Sequence, residues 1–348
     1  MIISICVLVL VLFLSACSAE KSADFSLRMT DDILLPYTPV RNQGRTQTCW
    51  AYTMASMLES ERLTSASDTL RLSVMYMVRQ KYMNQFEQYY YSQGTREIRN
   101  GGLGHSFLRV LEEKGAMPYE AYKGHLPDAK RHDHRSLLKE LKSLAEQAVE
   151  EKDLSVYRQK AERILDEYLG AVPEKFMYKG KEYTPQSFAD SLNLNTGQYV
   201  ELTSFTHHPF YEWFVLEVPD NWEHAPFYNV PIDSLEQCVK HALRNGCTVA
   251  WDGDISEEGF MPVSGVAIYS KDSVTQEERQ QGFEKFETTD DHMMHIVGTA
   301  HDENGDFYYI LKNSWGKHGP YRGLMYMSEN YFRAKTISVV IPRKFVSL

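Results

Sequence analysis

The sequence is poor in positive charge. Its 37 lysines and arginines are outnumbered by 47 aspartates and glutamates, which gives a formal net charge of −10 at pH 7. Binding to nucleic acid through phosphate contacts needs a basic surface, and the one basic cluster, residues 130–135 (KRHDHR), is mixed with histidine and aspartate. The composition therefore argues against nucleic acid as a partner and favours a solvated loop at this cluster.

Long apolar runs are also scarce. The only one extends from Ile2 to Leu14, which is shorter than the roughly 20 residues that a membrane-spanning helix needs. Small residues and Cys17 follow it, a pattern typical of a signal-peptide core and its cleavage site. The sequence therefore predicts that the protein leaves the cytoplasm.

The residues around the cleavage site indicate how the protein is retained. Residues 14–17 (LSAC) resemble the bacterial lipobox, whose cysteine carries lipid. This predicts a lipoprotein signal peptide over residues 1–16, lipidation of Cys17, a tether over 17–27 and a place on the outer side of a bacterial membrane. No lysine or arginine precedes the apolar run, which leaves an uncleaved anchor or an unlipidated secretory signal as alternatives.

Cysteine is rare enough for each residue to be considered separately. Of five cysteines, Cys6 lies in the predicted signal peptide and Cys17 is the predicted lipid site. Three remain, so at least one is unpaired. Cys238 and Cys247 flank the boundary between a predicted helix and a predicted strand, and we expect two free, buried thiols. Cys49 is left without a structural role.

The order of predicted elements is helices first and strands last, which indicates an α+β fold. Apolar spacing predicts helices over 49–63 and 72–91, a third after the glycine-rich turn at 100–104, and a helical pair over 136–169. This pair belongs to a helical insert at about 126–172. Alternating, β-branched and aromatic runs predict strands at the following segments: YVELTSFTHH, WFVLEV, CTVAW, GVAIY, MHIVGTA, FYYILKNSW, GLMYMS and ISVVIP.

Several residues fit nucleophilic catalysis by cysteine. Such chemistry needs a thiolate, a base, a group that orients the base and a donor to the oxyanion. Cys49 begins a predicted helix, where N–H groups and the helix dipole stabilise a thiolate. Gln43 supplies an amide donor, His292 and His295 are candidate bases, and Asn313 is a candidate orienting group.

Four separated motifs resemble the papain superfamily of cysteine peptidases, in their order and spacing. They are Gln43-x5-Cys49-Trp50, the glycine turn NGG (100–102), His292-x5-Gly298 and Asn313-Ser-Trp315-Gly. The expanded middle and the segment from SFTHHPFYEW to DGDISEEGF are similar to the bleomycin hydrolase and aminopeptidase C branch. The resemblance covers nearly all of the chain and implies a two-lobed domain over 28–348, with a helical lobe and a β-barrel-like lobe on either side of a cleft.

The resemblance implies a role for each matched residue. Cys49 is the nucleophile, His292 the base, and Asn313 the residue that orients the imidazole. Trp315 shields their hydrogen bond, and the Gln43 amide forms the oxyanion hole, where losing a donor typically costs roughly 2.7–4 kcal/mol in the barrier. The spacing to Gly298 selects His292 over His295, and strand alternation agrees, because the two point to opposite faces.

Other residues carry weaker predictions for the substrate site. Gly101 and Gly102 are predicted to let the substrate backbone approach closely, with a plain turn as the alternative. Asp252 follows a predicted strand and either meets a substrate amine or stabilises a turn. Adjacent strand residues face opposite ways, so His207 and His208 are not expected to share an ion. We predict no metal and no cofactor.

The resemblance leaves the type of peptidase open. The branch is known for aminopeptidases whose C-terminal carboxylate anchors the substrate amine, and whether Leu348 reaches the cleft is not readable from sequence. Gln47 stands where the family has glycine. An aminopeptidase acting on peptides is the favoured prediction. An endopeptidase, an acyltransferase of the transglutaminase kind and an inactive surface-anchored binding protein are alternatives, and the branch's hexameric rings suggest a homo-oligomer.

Overall fold

A computed structural model describes residues 27–66, 69–125 and 131–346 of the chain. The predicted signal peptide, the predicted lipid site at Cys17 and the tether up to residue 26 lie outside these ranges. Leu27 is partly buried, and its carbonyl accepts a hydrogen bond from the Tyr321 hydroxyl. Within these ranges, no helix combines the length and apolar character that crossing a membrane requires.

Helices dominate the first half of the described chain, and further helices alternate with strands in the second half. In chain order they are α1 (Cys49–Ala66), α2 (Val74–Tyr91), α3 (Gly104–Lys114), α4 (Arg135–Glu151), α5 (Leu154–Leu169), α6 (Pro185–Leu192), α7 (Ile232–Arg244), α8 (Gln276–Glu284) and α9 (Glu329–Lys335), with 3-10 turns at Thr196–Gln198 and Arg343–Phe345. The five predicted helices are α1 to α5, so apolar spacing predicted the helical first half of the fold correctly.

The helical pair α4–α5 is packed into the helical lobe. Its apolar residues at helical spacing, such as Leu137, Leu141 and Leu165, are fully buried in the same core as α1, α2 and α3. Asp153 accepts a hydrogen bond from the Val156 N–H and so caps the start of α5. The pair therefore thickens the helical lobe and shares its core.

One large mixed sheet forms the second half. Its strands are β1 (Thr30–Leu34), β4 (Tyr199–Thr203), β5 (Trp213–Val215), β6 (Pro226–Asn229), β7 (Val249–Gly253), β8 (Phe260–Met261), β9 (Val266–Ala267), β10 (His292–His301), β11 (Phe307–Lys312), β12 (Leu324–Ser328) and β13 (Thr336–Pro342); β2 (Phe176–Tyr178) and β3 (Lys181–Tyr183) form a separate hairpin. The order is β5-β6-β4-β13-β7-β10-β11-β12-β9-β8, with β1 also paired to β10. The predicted α+β class is confirmed.

The central strand β10 connects the two halves. It lies between β7 and β11, and His292 at its start is opposite Gly253 at the end of β7. Helix α1 packs across it, with the Thr53 hydroxyl donating to the Met293 carbonyl at 2.9 Å. This packing places the N-terminus of α1 next to the start of β10.

A buried polar network, the Glu59 network, joins the same elements further from the cleft. The Glu59 carboxylate accepts from the Thr38 hydroxyl at 2.5 Å, from the Leu72 N–H at 2.8 Å and from the Arg41 guanidinium. Lys312 donates to both Thr38 and Ser56, and Ser56 also contacts the imidazole Nδ1 of His295. The network consists of Thr38, Arg41, Ser56, Glu59, His295 and Lys312.

The predicted strand at 199–208 is wrong in its second half. β4 ends at Thr203, and residues 204–212 form turns. The Asn229 amide donates to the carbonyls of Phe205, His208 and Pro209 and so satisfies backbone groups that a longer strand would have paired. Side-chain capping of this kind leaves no alternating signal in the sequence.

Candidate active site

Cys49 opens α1 at one side of a cleft of about 620 Å³. Cys49 is 8% exposed, and buried hydroxyl groups form hydrogen bonds within the loop before it. Thr46 donates to the Gln43 carbonyl at 2.8 Å, its hydroxyl lies 2.6 Å from that of Thr48, and the Gln43 N–H donates to the Ser314 carbonyl. The nucleophile candidate is therefore held by a rigid loop attached to the β lobe.

His292 lies on the opposite side of the same cleft. Its Nε2 donates to the Asn313 Oδ1 at 2.9 Å, which leaves Nδ1 as the basic nitrogen. The Trp315 ring lies 4.7 Å from the imidazole, tilted by 32°, and both His292 and Asn313 are at most 3% exposed. Asn313 can hold the imidazole in one tautomer, and Trp315 shields the bond between them from water.

Gln43 is placed to donate into the cleft. Its Oε1 accepts from the Ser314 hydroxyl at 3.1 Å, so its amide N–H₂ is the end left for the cleft that Gln43 lines. An amide donor on the cleft wall next to a helix N-terminus is the arrangement that stabilises an oxyanion.

The surroundings of Cys49 and His292 disfavour the charged form of each residue when it is charged alone. Burial, followed by the charges of Asp220, Asp252 and Asp290, raises the pKa of the Cys49 thiol to about 12, against a lowering contribution from the Met293 N–H. Burial lowers the pKa of His292 to about 4. The lowering of the Cys49 thiol pKa that was expected from the helix start is therefore absent. A Cys49 thiolate and a His292 imidazolium would each have to stabilise the other as its counter-ion.

Of the two glycines in the glycine turn, only Gly101 lines the cleft. A Cβ at Gly102 would meet the Trp50 ring and the Ser106 hydroxyl. A Cβ at Gly101 would overlap the Asp220 carboxylate, which therefore lies directly on the turn. Underneath, Lys81 donates to the carbonyls of Arg99, at 2.7 Å, and Gly101.

Three carboxyl groups form an acidic cluster in this wall of the cleft: Asp220, Asp252 and Asp290. Asp220 and Asp290 line the cleft, with the Asp220 N–H donating to Asp290 at 3.3 Å. Asp252, predicted as a candidate for the substrate amine, is 1% exposed, does not line the cleft and interacts with the Asp290 carboxyl group. Burial is the main cause that raises the pKa of each group, to about 8 for Asp290.

His295 and the His207–His208 pair lie away from this cleft. His295 is fully buried and contacts Ser56 of α1 at 2.8 Å, on the side of β10 that faces the helical lobe. The prediction that adjacent histidines diverge fails at His207 and His208, because they lie in a turn. Both rings contact the Glu217 carboxylate, at 3.1 and 2.8 Å.

Two further cysteines are described. Cys238 and Cys247 are free, as predicted, but they are partly exposed, which corrects the expectation of full burial. Burial is the first cause that raises the pKa of each thiol. Neither lines the cleft.

The sequence reasoning missed Asp220 and Asp290. Asp290 belongs to the pair of aspartates, Asp290 and Asp291, that directly precedes His292. Asp220 follows Pro219 in a turn far along the chain from Gly101, so its position on the glycine turn depends on tertiary structure. The two consecutive acids beside a candidate catalytic histidine were the available signal.

The sequence of residues 101–348 matches the family model for the Peptidase C1-like family, which is most of the chain. The chain belongs to the Peptidase C1-like family. It is therefore a cysteine peptidase, and the predicted papain-like membership is confirmed. The matched region contains His292 and Asn313 but begins after Gln43 and Cys49, so the assignment of those two residues depends on the cleft geometry.

Similarity to two known proteins indicates the branch of the family and the fold of this chain. It is 22% identical over 364 residues to aminopeptidase G of Lactobacillus delbrueckii subsp. lactis, covering 90% of this chain and 83% of that one. Its fold is similar to the crystal structure of PepW from Lactobacillus rhamnosis HN001, with a TM-score of 0.75 and 19% identity over 91% of this chain and 83% of that one. These similarities support the bleomycin hydrolase and aminopeptidase C branch and a papain-like fold.

Proposed function

We propose that this cysteine peptidase removes residues from the amino terminus of peptides, with Cys49, His292 and Asn313 as its catalytic triad. The observation that carries the proposal is the His292–Asn313 hydrogen bond under Trp315, on the wall of a cleft that Cys49 and Gln43 also line. These residues supply a nucleophile, a base, an orienting group and an oxyanion donor in one place.

The chemistry would follow from these positions. His292 takes the thiol proton, the Cys49 sulfur attacks the scissile carbonyl carbon, and the Gln43 amide and the Cys49 N–H stabilise the oxyanion. The tetrahedral intermediate collapses to a thioester as His292 gives its proton to the leaving amine. Water, deprotonated by His292, then attacks the thioester, releases the acid and restores the thiol.

Action at the amino terminus is supported by similarity to aminopeptidase G. The C-terminal segment provides no anchor within the described residues. β13 runs from Thr336, opposite Gly253 near His292, towards the far end of the sheet, and Phe345 packs against His241 of α7. The described end of the chain, up to Val346, therefore lies away from the cleft.

The predicted lipid anchor at Cys17 remains part of the proposal. We place the enzyme on the outer side of a bacterial membrane, where peptide substrates would reach it from the envelope. Mass spectrometry of the full chain, expressed with its own N-terminus, would detect a diacylglycerol mass at Cys17 and its loss in Cys17→Ser. An unmodified N-terminus would contradict the anchor.

The activity is tested with the full-length chain in mild detergent. The substrates are alanyl and leucyl aminomethylcoumarins with a free α-amine, and the same compounds with an N-acetyl group. We expect cleavage of the free-amine compounds, abolished in Cys49→Ala. Cys238→Ala, which removes a free thiol outside the cleft, should retain the wild-type rate.

Three other outcomes would redirect the assignment. Cleavage of an internally quenched peptide with a blocked N-terminus would indicate an endopeptidase. Amine transfer in place of hydrolysis would indicate an acyltransferase. No turnover, together with no alkylation of Cys49 by iodoacetamide, would indicate an inactive binding protein and would sink the proposal.

A further inference from the structure

The acidic cluster of Asp220, Asp252 and Asp290 has more carboxyl groups than donors to satisfy them. Neither carboxylate oxygen of Asp252 has a hydrogen-bond donor, although the residue is 1% exposed. Its neighbour is the Asp290 carboxyl group, and two carboxyls bond to each other only when one carries a proton. Buried polar groups are normally satisfied, and Asp220 and Asp290, which line the cleft, are the members of the cluster to which a ligand can supply a further donor.

The cations nearby do not fill this need. Lys81 and Arg99 lie close enough to affect Asp220. Lys81 donates to backbone carbonyls, and Arg99 donates to Glu97 at 2.5 Å. Among the described residues, no lysine, arginine or histidine forms an ion pair with Asp252 or Asp290. The cleft that Cys49 and His292 line therefore also contains carboxyl groups without a cationic partner.

Asp220 also limits how far a bound chain can extend. Its carboxylate lies on Gly101, where a Cβ would collide with it. A papain-like cleft is predicted to hold the residue before the scissile bond along this glycine turn, so a longer chain would have to displace the carboxylate. A chain that begins at this point would instead present its α-ammonium to it.

From these contacts we propose that Asp220 and Asp290, supported by Asp252, bind the α-ammonium group of the substrate's first residue. The inference depends on the proposed function, because it assigns the specificity of the same site. Only two bonds separate an α-amine nitrogen from the first carbonyl carbon of a peptide. The receptor must therefore be adjacent to the nucleophile, and all three carboxyl groups are close enough to Cys49 to raise the pKa of its thiol.

An ammonium group at this place would also change the nucleophile. It would offset the negative charges that hold the proton on Cys49, so a free-amine substrate would promote its own attack. An N-blocked peptide brings an uncharged amide to the same carboxyl groups and leaves one of them without a donor. Discrimination against missing polar partners of this kind is large in buried sites.

The test compares Asp220→Asn with the wild-type, full-length enzyme on the free-amine and N-acetyl coumarins. We expect Asp220→Asn to lower kcat/KM for the free-amine compounds about 100-fold, the loss typical of a buried charge pair, and to leave the N-acetyl rate within about twofold. Asp290→Asn should act in the same direction. Glu217→Gln, in the same segment but paired with His207 and His208, is the matched control and should change neither rate.

A structural role for Asp220 would give a different pattern. Equal losses on both substrates, or a changed circular dichroism spectrum with slower alkylation of Cys49, would overturn the inference. So would a wild-type enzyme that cleaves both substrates equally well. Asp220→Glu keeps the charge and should retain more of the preference for a free amine than Asp220→Asn.

A binding measurement separates this inference from the proposed function. Calorimetry with Cys49→Ala and trialanine amide needs no turnover. Binding that is lost on N-acetylation and on adding Asp220→Asn would support the amine receptor even if hydrolysis fails. Equal binding of both peptides would reject the receptor even if the enzyme is active.

Discussion

Two clusters of charged residues, the Glu59 network and the acidic cluster, differ in how their carboxylates are satisfied. Glu59 accepts hydrogen bonds from Thr38, Leu72 and Arg41 and is fully buried. Asp252 is equally buried and accepts none. The first arrangement is closed within the protein, whereas the second lacks a donor, which is how a structural and a ligand-binding cluster differ.

The two clusters also differ in their position relative to the cleft in which the reaction is proposed to occur. The Glu59 network connects the segment that contains Thr38 and Arg41, just before Gln43, to helix α1 and to strands β10 and β11. It therefore fixes the positions of the lobes that carry Cys49 and His292. The acidic cluster lies on the cleft wall. The first therefore stabilises the fold that positions the proposed triad, and the second presents Asp220 and Asp290 to the cleft.

The largest effect on stability is expected from Glu59→Gln. The substitution removes the carboxylate that pairs with Arg41 and whose charge stabilises the buried Lys312 ammonium, and breaking a buried pair typically costs about 3–5 kcal/mol. Urea unfolding at pH 7 measures the loss. Glu113→Gln, an exposed glutamate on α3, is the control and should change stability by less than about 0.5 kcal/mol. A loss below 1 kcal/mol for Glu59→Gln would contradict the structural role.

Removing a carboxyl group from the acidic cluster should have the opposite effect on stability. Asp290→Asn should lose less stability than wild type as the pH rises. Burial and Asp220 raise the pKa of Asp290 to about 8 from an ordinary value of 3.8, so the folded protein holds this proton more tightly than the unfolded chain. Stability from this group is full below about pH 4 and is lost as pH rises to 8. We expect wild type to lose about 3–4 kcal/mol more than Asp290→Asn between pH 5 and 8.

The pH dependence of the difference is the informative quantity. Asp153→Asn is the control, because its N-cap hydrogen bonds lower the pKa of Asp153, and its contribution is lost only as pH falls below the ordinary value. The difference between wild type and Asp153→Asn should therefore stay constant from pH 5 to 8. A constant difference for Asp290→Asn as well would show that Asp290 is ionised throughout.

Local signals in the sequence were sufficient to place the residues of the proposed triad on their helix and strands, whereas their catalytic roles were implied by the resemblance to papain-like peptidases. Cys49 begins a helix whose apolar residues repeat every three or four positions, and strand alternation separates His292 from His295. Asn313 follows directly on β11, whose pattern is equally clear. Each of these positions depends on its neighbours in sequence, which explains why the pattern predicted them.

The contacts of Asp220 and His207 could not be predicted from the residues next to them in the sequence. Asp220 contacts a glycine turn more than one hundred residues earlier, and His207 lies in a turn that the Asn229 amide stabilises. Both depend on side chains that satisfy distant backbone groups. Such contacts have no period in the sequence and follow only from the packed structure.

The smallest effect is expected at Gln47, where the family has glycine. Gln47 has φ +51°, lines the cleft and is exposed. Left-handed backbone costs a residue with a Cβ roughly 1–2 kcal/mol, and glycine's greater freedom in the unfolded chain cancels part of the gain. Gln47→Gly should therefore stabilise the protein by at most about 1 kcal/mol and speed alkylation of Cys49. Gln93→Gly, at φ +53° outside the cleft, should match the stability gain but leave alkylation unchanged; equal alkylation rates in both variants would show that the Gln47 side chain does not restrict the cleft.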